Sequence, residues 1–310
     1  MISVVICSHN PRADVIARTL AGLRKQRWPL HAWELLIVDN ASERPLAATV
    51  DVSWHPRGRH VREETVGLVF ARLRGIADTR GRLLVFVDDD NVLGPDYLEQ
   101  VDAISRRFTD LGAFGAGILE PEFEHPPSPT LVPRLGMLAI RSGAQARRGN
   151  DPNDWQMIPW GAGLCVTRAV AERYTHLIQS LAVSTVLGRR GEALFAGEDD
   201  VFSWAAVSAG LTFGVFPELR ITHLIPDSRL RPAYLVRLTR DRSFSDAVLQ
   251  YRLQAILPRR IQFVDYLRMP LHGLRRGVFS MRCHWAQLRG ADRAATFVAS
   301  HLAARPVTPC

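Results

Sequence analysis

Residues 83–98 read LLVFVDDDNVLGPDYL, and this stretch decides the fold. Leu83 to Val87 is an unbroken apolar run rich in valine. A strand with no polar alternation is buried on both faces, which is the habit of parallel sheets covered by helices on each side. The run ends abruptly in three adjacent carboxylates, Asp88, Asp89 and Asp90, and a helix is expected from about Pro95 to Phe108.

The same pattern extends upstream. MISVVIC at 1–7 is a short β-branched run, followed by Ser8-His9-Asn10-Pro11. There Asn suits a helix cap and Pro the first helical position. Val15, Ile16, Leu20 and Leu23 recur at helical spacing, WELLIV at 33–38 is a second buried strand ending at Asp39-Asn40, and a helix is expected from about Gly67 to Thr79. Apolar strands alternating with helices predict an α/β domain with a mostly parallel central sheet and helices on both faces. Ligands of such sheets sit beyond the carboxyl ends of the strands. Ser8, Asp39 and the Asp88–Asp90 cluster all stand there.

Downstream, residues 120–160 carry prolines at 121, 126, 127, 129, 133, 152 and 159 and read as long loops over the sheet edge. A strand is expected near Trp160 to Thr167, then a helix, then Gly197-Glu198-Asp199-Asp200 opening a helix to about Ala209. The text after His223 is mainly helical and rich in arginine, so the expected division is a domain at 1–226 and a basic helical extension at 227–310.

Composition narrows the class. With 310 residues, 47% hydrophobic and 23% charged, the chain fits a packed globular protein rather than a disordered or fibrous one. No apolar run approaches the roughly 18 residues of a membrane-spanning helix, and no leader pattern opens the chain. Cys7, Cys165, Cys283 and Cys310 are too scattered for a zinc site or a disulfide framework, so a reducing cytoplasm is the expected compartment. Of the formal charge of +8, the only lysine is Lys25. From Arg229 to Cys310 fifteen arginines face four aspartates, so the basic character belongs to the tail. Such a surface attracts phosphates, anionic lipid or nucleic acid.

Two acidic clusters carry the chemistry. Three consecutive carboxylates at a strand end repel one another unless a cation or basic side chains compensate. Asp88 and Asp90, one residue apart, suit Mg2+ or Mn2+ bridged to a diphosphate, whose remaining positions water or substrate fills. Capping of the next helix is the alternative. An EF-hand register starting at Asp89 fails, because Leu93 and Gln100 stand where oxygen ligands are required. Glu198-Asp199-Asp200 fits the first turn of a helix through the macrodipole as well as it fits catalysis. His223, at the end of the apolar run from Leu219, is open to structural and ligand roles alike. Trp160-Gly161-Ala162-Gly163 matches no phosphate-loop spacing; its glycines permit close backbone approach.

Taken jointly, VVICSHNP, LLIVDNAS at 35–42, ETVGLVFARLRGI at 64–76, LLVFVDDDNVLGPDYL, WGAGLCVTR at 160–168 and GEDDVFSWAAVSAGL at 197–211 occur in the order found in family-2 glycosyltransferases of GT-A fold. Residues 1 to about 226 resemble that family. The resemblance implies a Rossmann-like GT-A sheet and transfer of a sugar from a nucleoside-diphosphate donor to an acceptor hydroxyl with inversion. It further implies that Ser8, Asp39, Arg72, Asp88 and Asp89 line the donor, and that Asp88 and Asp90 form the DxD metal pair with His223 as a further ligand. Asp199, with Glu198 beside it, would be the catalytic base, and Trp160, Gly161 and Gly163 would line the acceptor side. Leu73 stands where the family often has asparagine. A metal-held diphosphate stabilises the charge that builds on the leaving group, while the base removes the acceptor's proton.

Two rival classes remain. A nucleotidyltransferase would share the sheet and the acids, but MISVVICSHNPRAD supplies no glycine- and basic-rich triphosphate loop. A non-catalytic protein binding an anionic ligand through the tail is the other, though the tail lacks the aromatic-basic interleaving of RNA binders, so no nucleic acid is expected. The expected setting is synthesis of cell-surface polysaccharide, glycolipid or glycoconjugate. The enzyme would be cytoplasmic, with peripheral contact at the inner face of the membrane through the basic extension. Its acceptor would be a glycan, a lipid or a small molecule.

Overall fold

The computed structural model describes residues 1–143 and 145–302; Cys310 and the last residues of the expected extension lie outside the described residues. The chain forms two compact units. The first comprises residues 1–122, 139–177 and 198–225; the second comprises 123–138, 178–197 and the chain from 226 onward.

The elements, in chain order, are β1 (Ile2–Ser8), α1 (Ala13–Arg24), β2 (Trp33–Asn40), β3 (Gly58–Glu63), α2 (Leu68–Asp78), β4 (Leu83–Asp88), β5 (Asn91–Leu93) and α3 (Tyr97–Arg107). They continue with β6 (Leu111–Phe123), β7 (Arg141–Ser142), β8 (Arg147–Gly149), β9 (Leu164–Thr167), α4 (Arg168–Leu181), α5 (Asp200–Ser208) and β10 (Thr212–Ile225). Two long helical stretches follow, α6 (Pro232–Gln254) and α7 (Phe263–His301).

In the first unit the strands run β3-β2-β1-β4-β9-β6-β10-β5. β3, β2, β1 and β4 are parallel, and the register sets Ser8 beside Asp39 and Cys7 beside Asp88. The expected row of polar residues therefore stands on three adjacent strand ends. β9 then pairs antiparallel with β4, and β10 pairs antiparallel with β5. Alternation along the parallel strands supplies two buried faces. Val4, Ile6, Leu35, Ile37, Val85 and Val87 join Ile16, Leu20 and Leu23 of α1 in one core cluster. Val5 and Val38 face the other way, so close to α2 that a Cβ on Gly75 would lie 2.5 Å from Val5 Cγ1.

The strands β3, β5, β6, β7, β8 and the first part of β10 have no counterpart in the sequence reading. The stretch 120–160, expected as long loops, instead carries the end of β6, a 3-10 segment at Pro129–Leu138, and the short strands β7 and β8. The loops that remain are shorter because Pro121 lies within β6 and Pro129 and Pro133 lie within the 3-10 segment.

The second unit is built on α6. Leu194 N donates to Asp241 at 3.1 Å, Ser245 Oγ donates to Val186 O at 3.0 Å, and Phe195 packs on Phe244 at 5.4 Å between centroids. α7 is not one rod. Gly277 has φ 82° and ψ 159°, and the rings of His272 and His284 stack 4.7 Å apart. Twelve residues of straight helix would separate them by about 18 Å. Tyr266 against Trp285 at 5.0 Å and Arg260 Nη1 donating to Thr296 Oγ1 at 2.8 Å extend the same antiparallel pairing. The stretch is a helical hairpin with Gly277 at its tip, where a positive φ favours glycine.

Candidate active site

The aspartate turn is locked by its neighbours. Ser8 Oγ donates to Asp89 Oδ2, and Thr19 Oγ1 donates to the Asp89 carbonyl at 2.9 Å. Asp90 is buried; its Oδ1 accepts from Asn91 Nδ2 at 2.9 Å and its carbonyl accepts from Leu224 N at 2.9 Å. The β5–β10 register sets Asn91 opposite His223, and His223 Nε2 lies 3.6 Å from Asp90 Oδ2. A carboxylate and an imidazole held this way, with Asp88 at the adjoining strand end, form a donor set that suits a divalent cation. Among the described residues no three or more His, Cys, Asp or Glu side chains form a ready-made cage.

Asp39 is committed locally. Its Oδ1 accepts from Ser42 N at 2.9 Å, its Oδ2 accepts from Leu46 N at 3.0 Å, and Arg62 Nη1 lies 2.9 Å from Oδ2. Burial opposes its charge, but these donors outweigh it and hold the carboxyl below its usual range. Asp39 thus shapes the loop after β2.

The second cluster surrounds one buried arginine. Arg72, on α2, is 1% exposed, lies 5.5 Å from the Phe86 ring and sets Nη1 3.4 Å from Glu198 Oε1. Burial disfavours its charge, yet the fields of Glu198, Asp88 and Asp199 prevail and keep the guanidinium more basic than usual. Arg72 is therefore coupled to both acidic clusters. Asp199 caps α5: Oδ1 accepts from Asp200 N at 3.2 Å and Oδ2 accepts from Gly161 N at 2.8 Å. A Cβ on Gly161 would collide with Arg72 Nη2, and one on Gly163, at φ 71°, would collide with Ile221 and the Tyr97 hydroxyl. The WGAG segment needs glycine because backbone must pass between these side chains.

The structure brings Arg72 to Glu198 and Asp199 to Gly161, beside Trp160, and brings Ser8 to Asp89 and His223 to Asp90, with Asp88 ending β4. Gly163 turns away to Tyr97, whose hydroxyl donates to its carbonyl at 2.6 Å.

Two residues escaped the sequence reading. Arg141 on β7 stacks its guanidinium 3.8 Å from the Trp160 centroid and donates to Ile158 O at 2.9 Å, while its Nη1 has no hydrogen-bond partner among the described residues. Burial depresses its pKa to about 10, against the pull of Asp199. Tyr174 on α4 stacks on Phe202 at 3.7 Å and lies in the fields of Arg72, Glu198 and Asp199. Burial raises its phenol, so it stays neutral. A lone arginine in a proline-rich stretch and a tyrosine inside a helix carry no motif. Cys7 offers no thiolate: burial, opposed by Arg72 and aided by Asp88 and Asp89, pushes it up to about 12.

A mixed sheet with acids at the carboxyl ends of parallel strands and a second acidic turn opening a helix matches the GT-A fold. Residues 3–117 match the model of glycosyl transferase family 2. A stretch of 137 residues is 29% identical to Glycosyltransferase AglE of Haloferax volcanii, covering 43% of this chain and 43% of that relative's length. The fold is similar to that of mannosyltransferase PcManGT from Pyrobaculum calidifontis, solved with GDP-Man and Mn2+, at TM-score 0.53 and 16% identity over 97% of this chain and 75% of that one. S. aureus TarS 1-349 aligns at TM-score 0.47 and 13% identity, covering 98% of this chain and 92% of that one.

Proposed function

We propose that this chain is an inverting glycosyltransferase that moves a sugar from a nucleoside-diphosphate donor to an acceptor hydroxyl in the synthesis of a cell-surface polysaccharide, glycolipid or glycoconjugate. The observation that carries the reading is Arg72, a buried cation 3.4 Å from Glu198 of the helix-opening cluster and packed on the ring of Phe86 in β4, the strand that ends in Asp88. A leaving diphosphate and an attacking hydroxyl need such opposed groups around one reacting carbon.

Asp88 and Asp90, with His223, would hold Mg2+ or Mn2+. The 3.6 Å between His223 Nε2 and Asp90 Oδ2 suits two donors of one cation, which at about 2 Å each stand roughly 3 Å apart. When bound, the cation supplies charge stabilisation for the departing nucleoside diphosphate, and diphosphate and water complete its shell. Ser8 orients Asp89 through its hydroxyl. Asp199 is the base: the Gly161 and Asp200 N–H groups fix its carboxylate, leaving lone pairs to receive the acceptor's proton. Glu198 balances Arg72, and Trp160, steadied by Arg141, forms the acceptor wall.

The complex of PcManGT with GDP-Man and Mn2+ supports a nucleotide-sugar donor and a divalent cation here. No described helix is long and apolar enough to cross a membrane, and the proposed setting is cytoplasmic, with the basic extension meeting the inner membrane face peripherally. A panel of nucleotide sugars, incubated with purified protein and Mn2+ or Mg2+, tests the reading by released nucleoside diphosphate. Release from one donor class, abolished by chelator, is expected. Release of pyrophosphate from a nucleoside triphosphate would instead install the nucleotidyltransferase reading, and no turnover of any donor would overturn catalysis.

A further inference from the structure

The first leg of the α7 hairpin, residues 263–276, leaves an apolar face uncovered. Phe263, Tyr266, Leu267, Leu271 and Leu274 are all exposed, Phe263 to 78% and Leu274 to 84%, and Val278 continues them past the tip. At 100° per residue these leg positions span a single arc of the helix about 140° wide. Asp265, buried and ion-paired to Arg259 at 2.6 Å, lies on the opposite side, as does His272, stacked against the second leg. The leg is thus turned outward by design of its pattern: its polar, hydrogen-bonded side faces the protein. Large contiguous apolar patches are uncommon on soluble monomers and mark interaction sites.

Charge identifies the occupant. Between Ile256 and Arg282 six arginines stand against one aspartate, and Arg268 and Arg275 flank the apolar arc on one side. A helix with leucine and aromatic residues on one face and arginine along its border is the pattern of segments that lie in a bilayer interface. Its apolar arc sinks into the acyl boundary, while the arginine stems run along the border and their guanidinium groups reach phosphate. A protein groove would cover the leucines but gives no reason for the arginine border.

We propose that the α7 hairpin docks this protein on an anionic bilayer by shallow insertion of the face formed by Phe263, Leu267, Leu271 and Leu274, with Arg268 and Arg275 on lipid phosphate. This deepens the peripheral contact proposed above and rests on it. Contact through charge alone would be released by salt; insertion would not be.

Sedimentation with vesicles of phosphatidylcholine, with or without phosphatidylglycerol, tests the assignment at low and high salt. The wild-type chain is expected to bind the anionic vesicles and to keep part of that binding at high salt. Leu267→Glu with Leu274→Glu should lower partitioning at least about tenfold, since each buried leucine contributes roughly 1.5–3 kcal/mol. Both positions are exposed, so the thermal transition and turnover of a water-soluble acceptor should stay unchanged. Arg268→Gln with Arg275→Gln should remove the preference for phosphatidylglycerol and spare the salt-resistant part. Wild-type binding by the leucine variant, lost entirely in salt, would overturn insertion while leaving peripheral contact standing. Absence of any vesicle binding would overturn both. Concentration-dependent dimers abolished by the leucine variant would reassign the face to a second copy of the chain.

Discussion

The two acidic clusters look alike in the sequence, three consecutive acids ending a strand and three opening a helix, yet the fold treats them differently. Asp89 and Asp90 are held by a hydroxyl, an amide and an imidazole, and by backbone pairing across β5 and β10. Glu198 and Asp199 are held by a guanidinium and by two backbone N–H groups. The second cluster carries its compensating charge inside the protein. The first has an imidazole and a coordinating geometry, and under the proposed mechanism takes its cation from solution. Under the proposed mechanism one cluster aims a carboxylate at the acceptor and the other receives a metal with its phosphate, while Arg72 pairs with Glu198 and packs on Phe86 of β4.

The sharpest way to break this comparison is Asp199→Asn. The amide still accepts a hydrogen bond as a cap but takes no proton, so transfer should fall about 100- to 10,000-fold while donor and metal affinity stay near wild type. Parallel single changes of Glu198→Gln and Asp200→Asn identify the base, since only the true base should show a rate loss without a loss of stability. Retention by Asp199→Asn of more than about a tenth of the rate would leave that residue a cap only.

Arg72→Leu should produce the next largest effect, on stability. Removing one partner of a buried ion pair strands the other, at about 3–5 kcal/mol. A double change with Glu198→Leu should recover much of that loss, because the uncompensated charge disappears. Equal loss in single and double variants, read from denaturant midpoints, would show that Arg72 acts through packing on Phe86 rather than through charge.

For the strand-end cluster, Asp88→Ala or Asp90→Ala should weaken donor binding roughly tenfold or more in Mn2+ and much less in chelator, given the several kcal/mol a bound cation contributes. His223→Gln sharpens the point: a smaller metal-dependent loss marks it as a ligand, and a metal-independent loss marks it as a support for Asp90. Full activity of the Asp88 and Asp90 double variant would remove the metal from the mechanism.

What could be read in advance follows from how each region signals itself. The β1, β2 and β4 strands are buried on both faces, so burial itself writes unbroken apolar runs, and the acids at their ends were legible with them. β6 was not, for a physical reason. Its glycines are demanded by neighbours: a Cβ on Gly117 would lie 2.7 Å from the Phe216 carbonyl carbon, and one on Gly115 would lie 3.0 Å from Pro159 Cβ. Close packing against β10 at Gly117 and against Pro159 at Gly115 thus strips β6 of the β-branched residues that announce a strand. β3 is polar and β10 contains Gly214 and Pro217, which hide them in the same way. Asp39 was legible as a strand-end acid but its partner Arg62 lies on the unread strand, so its loop-shaping contacts were not. The helical character of the tail was written in its sequence, whereas the reversal at Gly277 depends on one φ angle and on ring contacts far apart in the chain.

The smallest expected effect, and the most diagnostic, concerns Arg141. Its guanidinium lies over Trp160 and in the field of Asp199, so it touches the proposed acceptor wall without belonging to either acidic cluster. Arg141→Met keeps length and removes charge. A cation–π contact partly open to solvent contributes about 0.5–1 kcal/mol, so acceptor KM should rise by roughly two- to fivefold with kcat little changed. The pH dependence supplies an independent check. Burial lowers the folded-state pKa to about 10 from an ordinary value of 12.5. Above pH 10 the unfolded chain therefore holds this proton more tightly than the folded one, and folding stability gains from this residue as pH rises through that window. The wild type minus Arg141→Met difference in unfolding midpoint should drift in favour of the wild type between neutral pH and the alkaline range. Acceptor KM of the wild type should worsen over the same interval, as the charge over Trp160 is lost, while the variant's should not follow. A wild-type KM that stays flat through pH 10 while the variant's KM is raised would show that Arg141 shapes the wall by its bulk, with its charge idle.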